Sequence, residues 1–343
     1  MNTIAQVWIT GPGQIEVREV PVPRPEPREV VVRTARAGIC GSDLHTYGVG
    51  HVWLPYPILP GHELSGFVEA VGSEVWTIKP GDRVFLNPAI TCGICLYCRT
   101  GHSNLCETLA GIGAHLPGGM ADAFAAPAGA LWPVPDGMSL LEASMIEPLA
   151  TGVHAARLAG GVGGKAVVIL GGGTIGLCVL AVCLASEAAV VVSEPLQSKR
   201  AVALRWGAID AVDPRGEHAL EACLAALPHR PDVVFDCVGR PETVAFAVRL
   251  ATRAGTVMVI GAEHGTLSLP LQTIQDFEVT LRGSSMYTVE DIVGARDLVS
   301  GSCRYVGELV TASYPIAAAP EAFARAVDGG EIKVQLAGVG PES

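Results

Sequence analysis

Four cysteines crowd into one short stretch of the chain, Cys92, Cys95, Cys98 and Cys106, in the run CGICLYCRTGHSNLC. Thiolates three residues apart turn around a single tetrahedral metal, and a fourth that returns after a short loop closes the shell. Four sulfurs leave no open position. The spacing therefore predicts a structural zinc, stabilising a lobe with too few apolar residues for a core of its own. An iron–sulfur cluster suits the same donors, and four unrelated buried thiols are the bland alternative. A second, dispersed set is Cys40, His62, Glu63 and Glu147. A catalytic zinc usually has three protein ligands of these types plus an open position for water or substrate. Glu63, beside His62, reads equally as an outer carboxylate that orients the site. Spacing alone does not raise this set above packed side chains.

The third signal is Gly171, Gly173 and Gly176 in VVILGGGTIG, after an apolar run and at the opening of a helical segment that includes Thr174 and Ile175. In such a turn Gly171 allows the tight bend, Gly173 lets backbone amides approach a pyrophosphate, and Gly176 permits close helix packing. The phosphate then meets the positive end of the helix dipole. Glu194 stands 23 residues after Gly171. An acid there bonds the ribose hydroxyls of NAD and repels the extra phosphate of NADP. Lys199 and Arg200 follow closely, and cations suit that phosphate instead. The bland alternative is a glycine-rich turn that binds nothing.

The elements that must position these residues fall into two kinds. The first 150 residues read as strands broken by Pro and Gly, with β-branched runs at 29–33, 66–71 and 82–86, and predict an antiparallel sheet or barrel. From about Glu147 short apolar runs at 166–170, 189–193, 232–237 and 256–260 alternate with helical segments, the pattern of a parallel sheet with crossover helices. Beyond residue 284 the periodicity is mixed, with a helix near 289–300, a strand near 308–312 and a helix near 318–328. The expected class is α/β: a β-rich domain plus a doubly wound parallel sheet.

Composition narrows the function classes. A chain of 343 residues with 49% hydrophobic and 17% charged residues has material for two globular domains. Its net charge of −11 opposes nucleic acid and anionic membrane surfaces as partners. The 21 uncharged residues of 166–186 have the length of a membrane span, but four glycines interrupt them, and strand, turn and buried helix explain them better. No Lys or Arg precedes Arg18 and no apolar segment opens the chain, so no signal peptide is expected and the expected location is cytoplasmic. Reduced thiols follow from that location. Cys178, Cys183, Cys223, Cys237 and Cys303 then read as small buried hydrophobes.

Four blocks, GICGSDLH at 38–45, PGHELSG at 60–66, CGICLYC with Cys106, and IEPLATGVHA at 146–155, together with the glycine motif, resemble the zinc-dependent medium-chain alcohol and polyol dehydrogenases over nearly the whole chain. The resemblance implies a GroES-like catalytic domain over 1–148 carrying the zinc lobe at 91–107. It further implies a Rossmann NAD-binding domain over 149–284 and a segment over 285–343 that rejoins the first domain. It implies two zinc ions, NAD, a homo-oligomer (dimer or tetramer), and a small-molecule alcohol or ketone substrate. Cys40 and His62 match the first two ligands of the family's catalytic zinc, and Glu63 the adjacent acid. Glu147 replaces the third-ligand cysteine of the alcohol dehydrogenases, as in the sorbitol, threonine and butanediol branch, which leaves open which glutamate touches the metal.

Ser42 falls where the family's hydroxyl bonds the substrate alcohol, and His45 at the outer end of the proton relay. Zinc acidifies a bound alcohol, a short hydroxyl passes the proton on, and an imidazole delivers it to water. Val238, Ile260 and Gly261, at the ends of the third and fourth strands of the parallel sheet, match backbone that contacts nicotinamide. Asp43 is expected to brace the zinc loop, and Thr46, Tyr47, His51 and Trp53 either line the substrate pocket or pack. The expected function is an NAD-dependent zinc oxidoreductase that interconverts a secondary alcohol and a ketone on a polyol, cyclitol or similar molecule. Alternatives are a zinc-free quinone or enone reductase on the same fold, a non-catalytic NAD(H) sensor, and, weakest, a zinc-ribbon nucleic-acid binder.

Overall fold

The computed structural model describes residues 3–50, 54–261 and 266–338, so His51 and Trp53 lie outside the described residues. The chain divides into two compact units, Met1–Glu147 with Arg304–Ser343, and Pro148–Cys303. The second unit therefore keeps the helix Val289–Ser300, and the crossing back falls at Arg304 rather than near residue 285.

In the first unit a seven-stranded sheet runs in the order 310–315, 333–337, 29–38, 63–71, 83–86 and 131–133, with 123–127 also pairing on 29–38. The central strand Glu29–Gly38 is antiparallel to Glu63–Val71 on one side and to Lys333–Ala337 on the other. Strands Val310–Pro315 and Lys333–Ala337 are parallel, joined by the helix Ala319–Val327, whose Phe323 is buried in the core. Alternation of Val30, Val32, Leu64, Val68, Val84 and Leu86 supplies one apolar face, closed by Ile9, Met120 and Phe124. Expectation reached four of these strands, at 29–38, 63–71, 83–86 and 310–315, and missed Lys333–Ala337 among others, a short run that carries a lysine and a glutamine among its apolar residues.

The second unit holds a fully parallel six-stranded sheet, ordered 210–212, 189–193, 166–170, 233–236, 256–259 and 280–283. Its central strands read Ala-Val-Val-Ile-Leu and Ala-Val-Val-Val-Ser because helices cover both faces of such a sheet. The 21 uncharged residues resolve into the strand Ala166–Leu170, a glycine turn and the buried helix Thr174–Ala185. No helix among the described residues is long and apolar enough to cross a membrane. Gly171 sits at φ +95°, and a Cβ on Gly176 would collide with the Gly171 carbonyl, so the turn requires glycine at both positions. Cys178, Cys183, Cys223 and Cys303 are buried, whereas Cys237 is half-buried at the end of the strand Val233–Asp236. Burial pushes the Cys183 thiol up to about 12 and that of Cys223 to about 11, which keeps both protonated and inert.

Candidate active site and dinucleotide cleft

Cys40 ends the extended strand region and caps the helix Gly41–Val49. Its backbone N–H donates to Asp43 Oδ2 at 2.9 Å, while Asp43 Oδ1 stands 3.8 Å from His62 Nδ1. One buried carboxylate therefore braces the cysteine loop and faces the histidine, which leaves His62 Nε2 for a ligand. Ligand atoms of Cys40, His62 and Glu63 all lie within 4.8 Å of one another. Ser42, exposed, and His45, half-buried, are three residues apart on the same helix, a spacing that puts them on one face. The Thr46 hydroxyl donates to the Ser42 carbonyl and Tyr47 packs on Phe323.

The sequence reading missed Lys333. Its buried ammonium donates to both carboxylate oxygens of Glu63 at 2.7 Å and to the Ile39 carbonyl at 3.1 Å. Burial works against the Lys333 charge, and Glu63 and Cys40 outweigh it, raising the pKa. A lysine and a glutamine in a short, otherwise apolar run were the available signal. Glu147 is buried in the first turn of the helix Ile146–Leu158 and stands outside the three-residue cluster, although its charge reaches His62 and Lys333. Burial disfavours the His62 cation, yet Asp43, Cys40 and Glu147 together hold its pKa well above the usual histidine value. A pocket that stabilises added positive charge, lined by sulfur, nitrogen and oxygen donors, fits a zinc ion.

The ligand atoms of Cys92, Cys95, Cys98 and Cys106 likewise lie within 4.8 Å of one another. Backbone amides donate to sulfur, from Cys92 to Cys106 Sγ and from Cys95 to Cys92 Sγ, both at 3.3 Å. The amide of Cys92 is the main reason that the Cys106 thiol falls to about 6. Amides aimed at sulfur favour thiolates, the form that binds metal. The lobe exposes Ile94, Leu96 and Leu105, consistent with a segment that lacks its own core.

In the second unit, a cleft of about 490 Å³ opens at the carboxyl ends of the strands. Leu170, Gly171, Glu194, Pro195, Pro214 and Val238 line it, as do Arg240, Glu242, Phe246 and Arg249. Glu194 is buried, and its carboxylate accepts the Gly172 amide at 2.7 Å and the Leu196 amide at 2.8 Å. Gly173 caps the helix that begins with Thr174 and Ile175, and a Cβ there would meet nothing within 4 Å, which leaves room for a ligand at the helix start. Asp236, also missed from sequence, accepts the amides of Val238 and Gly239 and the Thr243 hydroxyl, shaping the loop after its strand. The amides of Ile260 and Gly261 donate to the Asp236 carbonyl. Lys199 is half-buried and does not line the cleft.

Residues 26–136 match the alcohol dehydrogenase GroES-like domain, and residues 174–301 match the zinc-binding dehydrogenase domain. The chain is 32% identical to Probable D-xylulose reductase A of Aspergillus clavatus, over 96% of each chain. The chain belongs to the zinc-dependent medium-chain alcohol and polyol dehydrogenase family. A solved Sinorhizobium meliloti 1021 chain bound to NADP superposes on this dehydrogenase with a TM-score of 0.92, at 32% identity, covering 98% of this chain and 100% of that one. An alcohol dehydrogenase of Escherichia coli CFT073 complexed with NADH gives 0.90 at 28% identity, with coverage of 98% and 100%. The dehydrogenase is thus a zinc- and NAD(P)-dependent oxidoreductase with a GroES-like and a Rossmann-type domain, as the resemblance implied.

Proposed function

We propose that this dehydrogenase interconverts a secondary alcohol and a ketone on a polyol or cyclitol, uses NAD, and carries one catalytic and one structural zinc. The convergence of Cys40, His62 and Glu63 donors within 4.8 Å, backed by Asp43 and Lys333, carries this reading. Cys40 and His62 would hold the catalytic metal. A carboxylate oxygen has two acceptor sites, so Glu63 can keep its Lys333 bonds and still offer one to the metal. Glu147 remains as a nearby charge. Cys92, Cys95, Cys98 and Cys106 would hold the second, closed site. When bound, zinc supplies Lewis acidity toward the substrate hydroxyl and the dinucleotide supplies a hydride acceptor.

Ser42 takes the hydroxyl proton, and His45, one turn along the same helix face, passes it to solvent. In the cleft, Gly171–Gly176 would cradle the pyrophosphate, and Val238, Ile260 and Gly261 would border the nicotinamide. Glu194 supports NAD, because its carboxylate lines the cleft and would repel a 2′-phosphate. The polyol preference rests on Glu63 and Glu147 and on the D-xylulose reductase named among its relatives. Four reduced thiols in the lobe suit a cytoplasmic protein, and the resemblance favours a homo-oligomer.

Zinc per chain in wild type and Cys40→Ser, with NAD reduction over a panel of monohydric alcohols, vicinal diols, sugar alcohols and cyclitols, tests the reading. Two zinc ions falling to one with activity lost supports it. One zinc, unchanged in the variant, would favour the zinc-free reductase or the NAD(H) sensor. Simple alcohols outperforming every diol about tenfold would reject the polyol preference.

A further inference from the structure

We infer that Asp213 is a second determinant of dinucleotide choice, a positioning residue that holds Arg200 and Arg215 turned away from the cleft and so denies a 2′-phosphate its cations. This inference rests on the reading of the cleft as the dinucleotide site with NAD as its ligand. Asp213 directly follows the strand Asp210–Val212, whose Val212 carbonyl accepts the amide of Glu194, so the loop carrying Asp213 is tied to the acid at the ribose end. The guanidinium of Arg215 grips Asp213 with both arms, Nε to Oδ1 at 2.8 Å and Nη2 to Oδ2 at 2.5 Å, and also reaches the Pro195 carbonyl at 2.8 Å. Arg200 Nη1 donates to the carbonyls of Glu194 at 2.7 Å and Pro195 at 2.8 Å, and lies 3.4 Å from Asp213 Oδ2.

The consequence appears in the lining of the cleft. Glu194, Pro195 and Pro214 face it, each beside or between these charged residues, while neither arginine is among its lining residues. Two cations therefore stand beside the ribose end of the cleft without lining it, Arg200 engaged through Nη1 and Arg215 through Nε and Nη2. Charge balance points the same way: Glu194 and Asp213 stand against Arg200 and Arg215, and of the charged residues that line the cleft, Glu194 and Glu242 stand against Arg240 and Arg249. Arginine is the side chain that binds phosphate best, through paired N–H donors. The ion pairs are partly exposed and contribute little to stability, so their importance lies in the direction the guanidinium groups point. The bonds from Arg215 also hold the Asp213 carboxyl below its usual range.

The test is calorimetric titration of NAD and NADP into the zinc-loaded full-length protein as wild type, Asp213→Ala, and Asp213→Ala with Arg200→Ala and Arg215→Ala. Wild type is expected to favour NAD. In Asp213→Ala the ratio of NADP to NAD affinity should rise about tenfold, and the triple variant should return it to near the wild-type ratio. A loop merely loosened would weaken both dinucleotides together and leave the ratio unmoved. A ratio in Asp213→Ala within about twofold of wild type, or a rise that persists without the arginines, overturns the inference. Wild type that binds NADP at least as tightly as NAD overturns the assignment of Glu194 instead, and the inference falls with it. Titration with 2′-AMP and 5′-AMP isolates the phosphate: only 2′-AMP should tighten in Asp213→Ala, and an equal change for both counts against the inference.

Discussion

Lys333 and Glu63 meet across a strand to which neither belongs. The ammonium stands 2.7 Å from each carboxylate oxygen, both groups are buried, and the strand Glu29–Gly38 runs between their own strands. Gly38 lies opposite Glu63 in the ladder, and a Cβ there would collide with Glu63 Oε2. The missing side chain of Gly38 is thus the passage through which the pair forms. In this way a charge 270 positions along the chain neutralises the acid beside His62, the candidate metal ligand.

Breaking the pair from one side should be costly. Lys333→Met leaves a buried carboxylate without its partner, and a loss of about 3–5 kcal/mol in unfolding free energy is expected. Lys333→Met with Glu63→Gln should recover much of it, a coupling that a double-mutant cycle by urea denaturation reads directly. Independent, additive losses would contradict the account. Gly38→Ala should cost about 2–3 kcal/mol by the collision just described.

The two metal sites should separate under mutation. Cys40→Ser is expected to remove one zinc and abolish turnover while thermal stability changes little, because the donor cluster sits on a sheet with its own core. Cys98→Ser is expected to remove the other zinc and unfold the lobe, since a four-thiolate site contributes folding free energy outright. Elemental analysis with melting curves checks both, and equal destabilisation by the two variants would contradict the division.

Proton transfer should depend on the helix Gly41–Val49. Ser42→Ala is expected to lower kcat about 10²-fold, and His45→Gln less, with the Kd for the dinucleotide unchanged. Steady-state kinetics with separate titration of NAD distinguishes this from a folding defect, which would move both.

Stability at low pH should report Asp291. This buried carboxylate accepts from His154 at 2.7 Å, from Arg157 at 2.8 and 2.9 Å, and from Thr288. Burial raises its pKa, but those bonds win and hold it well below the usual carboxylate range. A pKa lower in the folded than in the unfolded chain contributes stability that is complete above about pH 5 and is lost as pH falls below about 4. Asp291→Asn should therefore cost about 2 kcal/mol near neutrality and progressively less toward pH 3. Urea midpoints at both pH values test this; a difference that stays constant would reject it.

Whereas the pairing of Cys40 with His62 came only from motifs of one family, local spacing by itself singled out the four-cysteine lobe and the glycine turn with Glu194, whose residues lie near one another in the chain. It also placed most strands of the parallel sheet, whose apolar runs are uninterrupted. Tertiary structure alone decided what faces each of these groups. Lys333 reaches Glu63 only through strand register and the gap at Gly38, Asp43 is aimed at His62 by helix capping, and Glu147 stands outside the donor cluster. Arg200 looked available to a phosphate from its position in the chain, yet Asp213 and two carbonyls already hold it. The physical reason is common to all four: burial and hydrogen bonding act over a few ångströms of space, and sequence separation carries no measure of that distance.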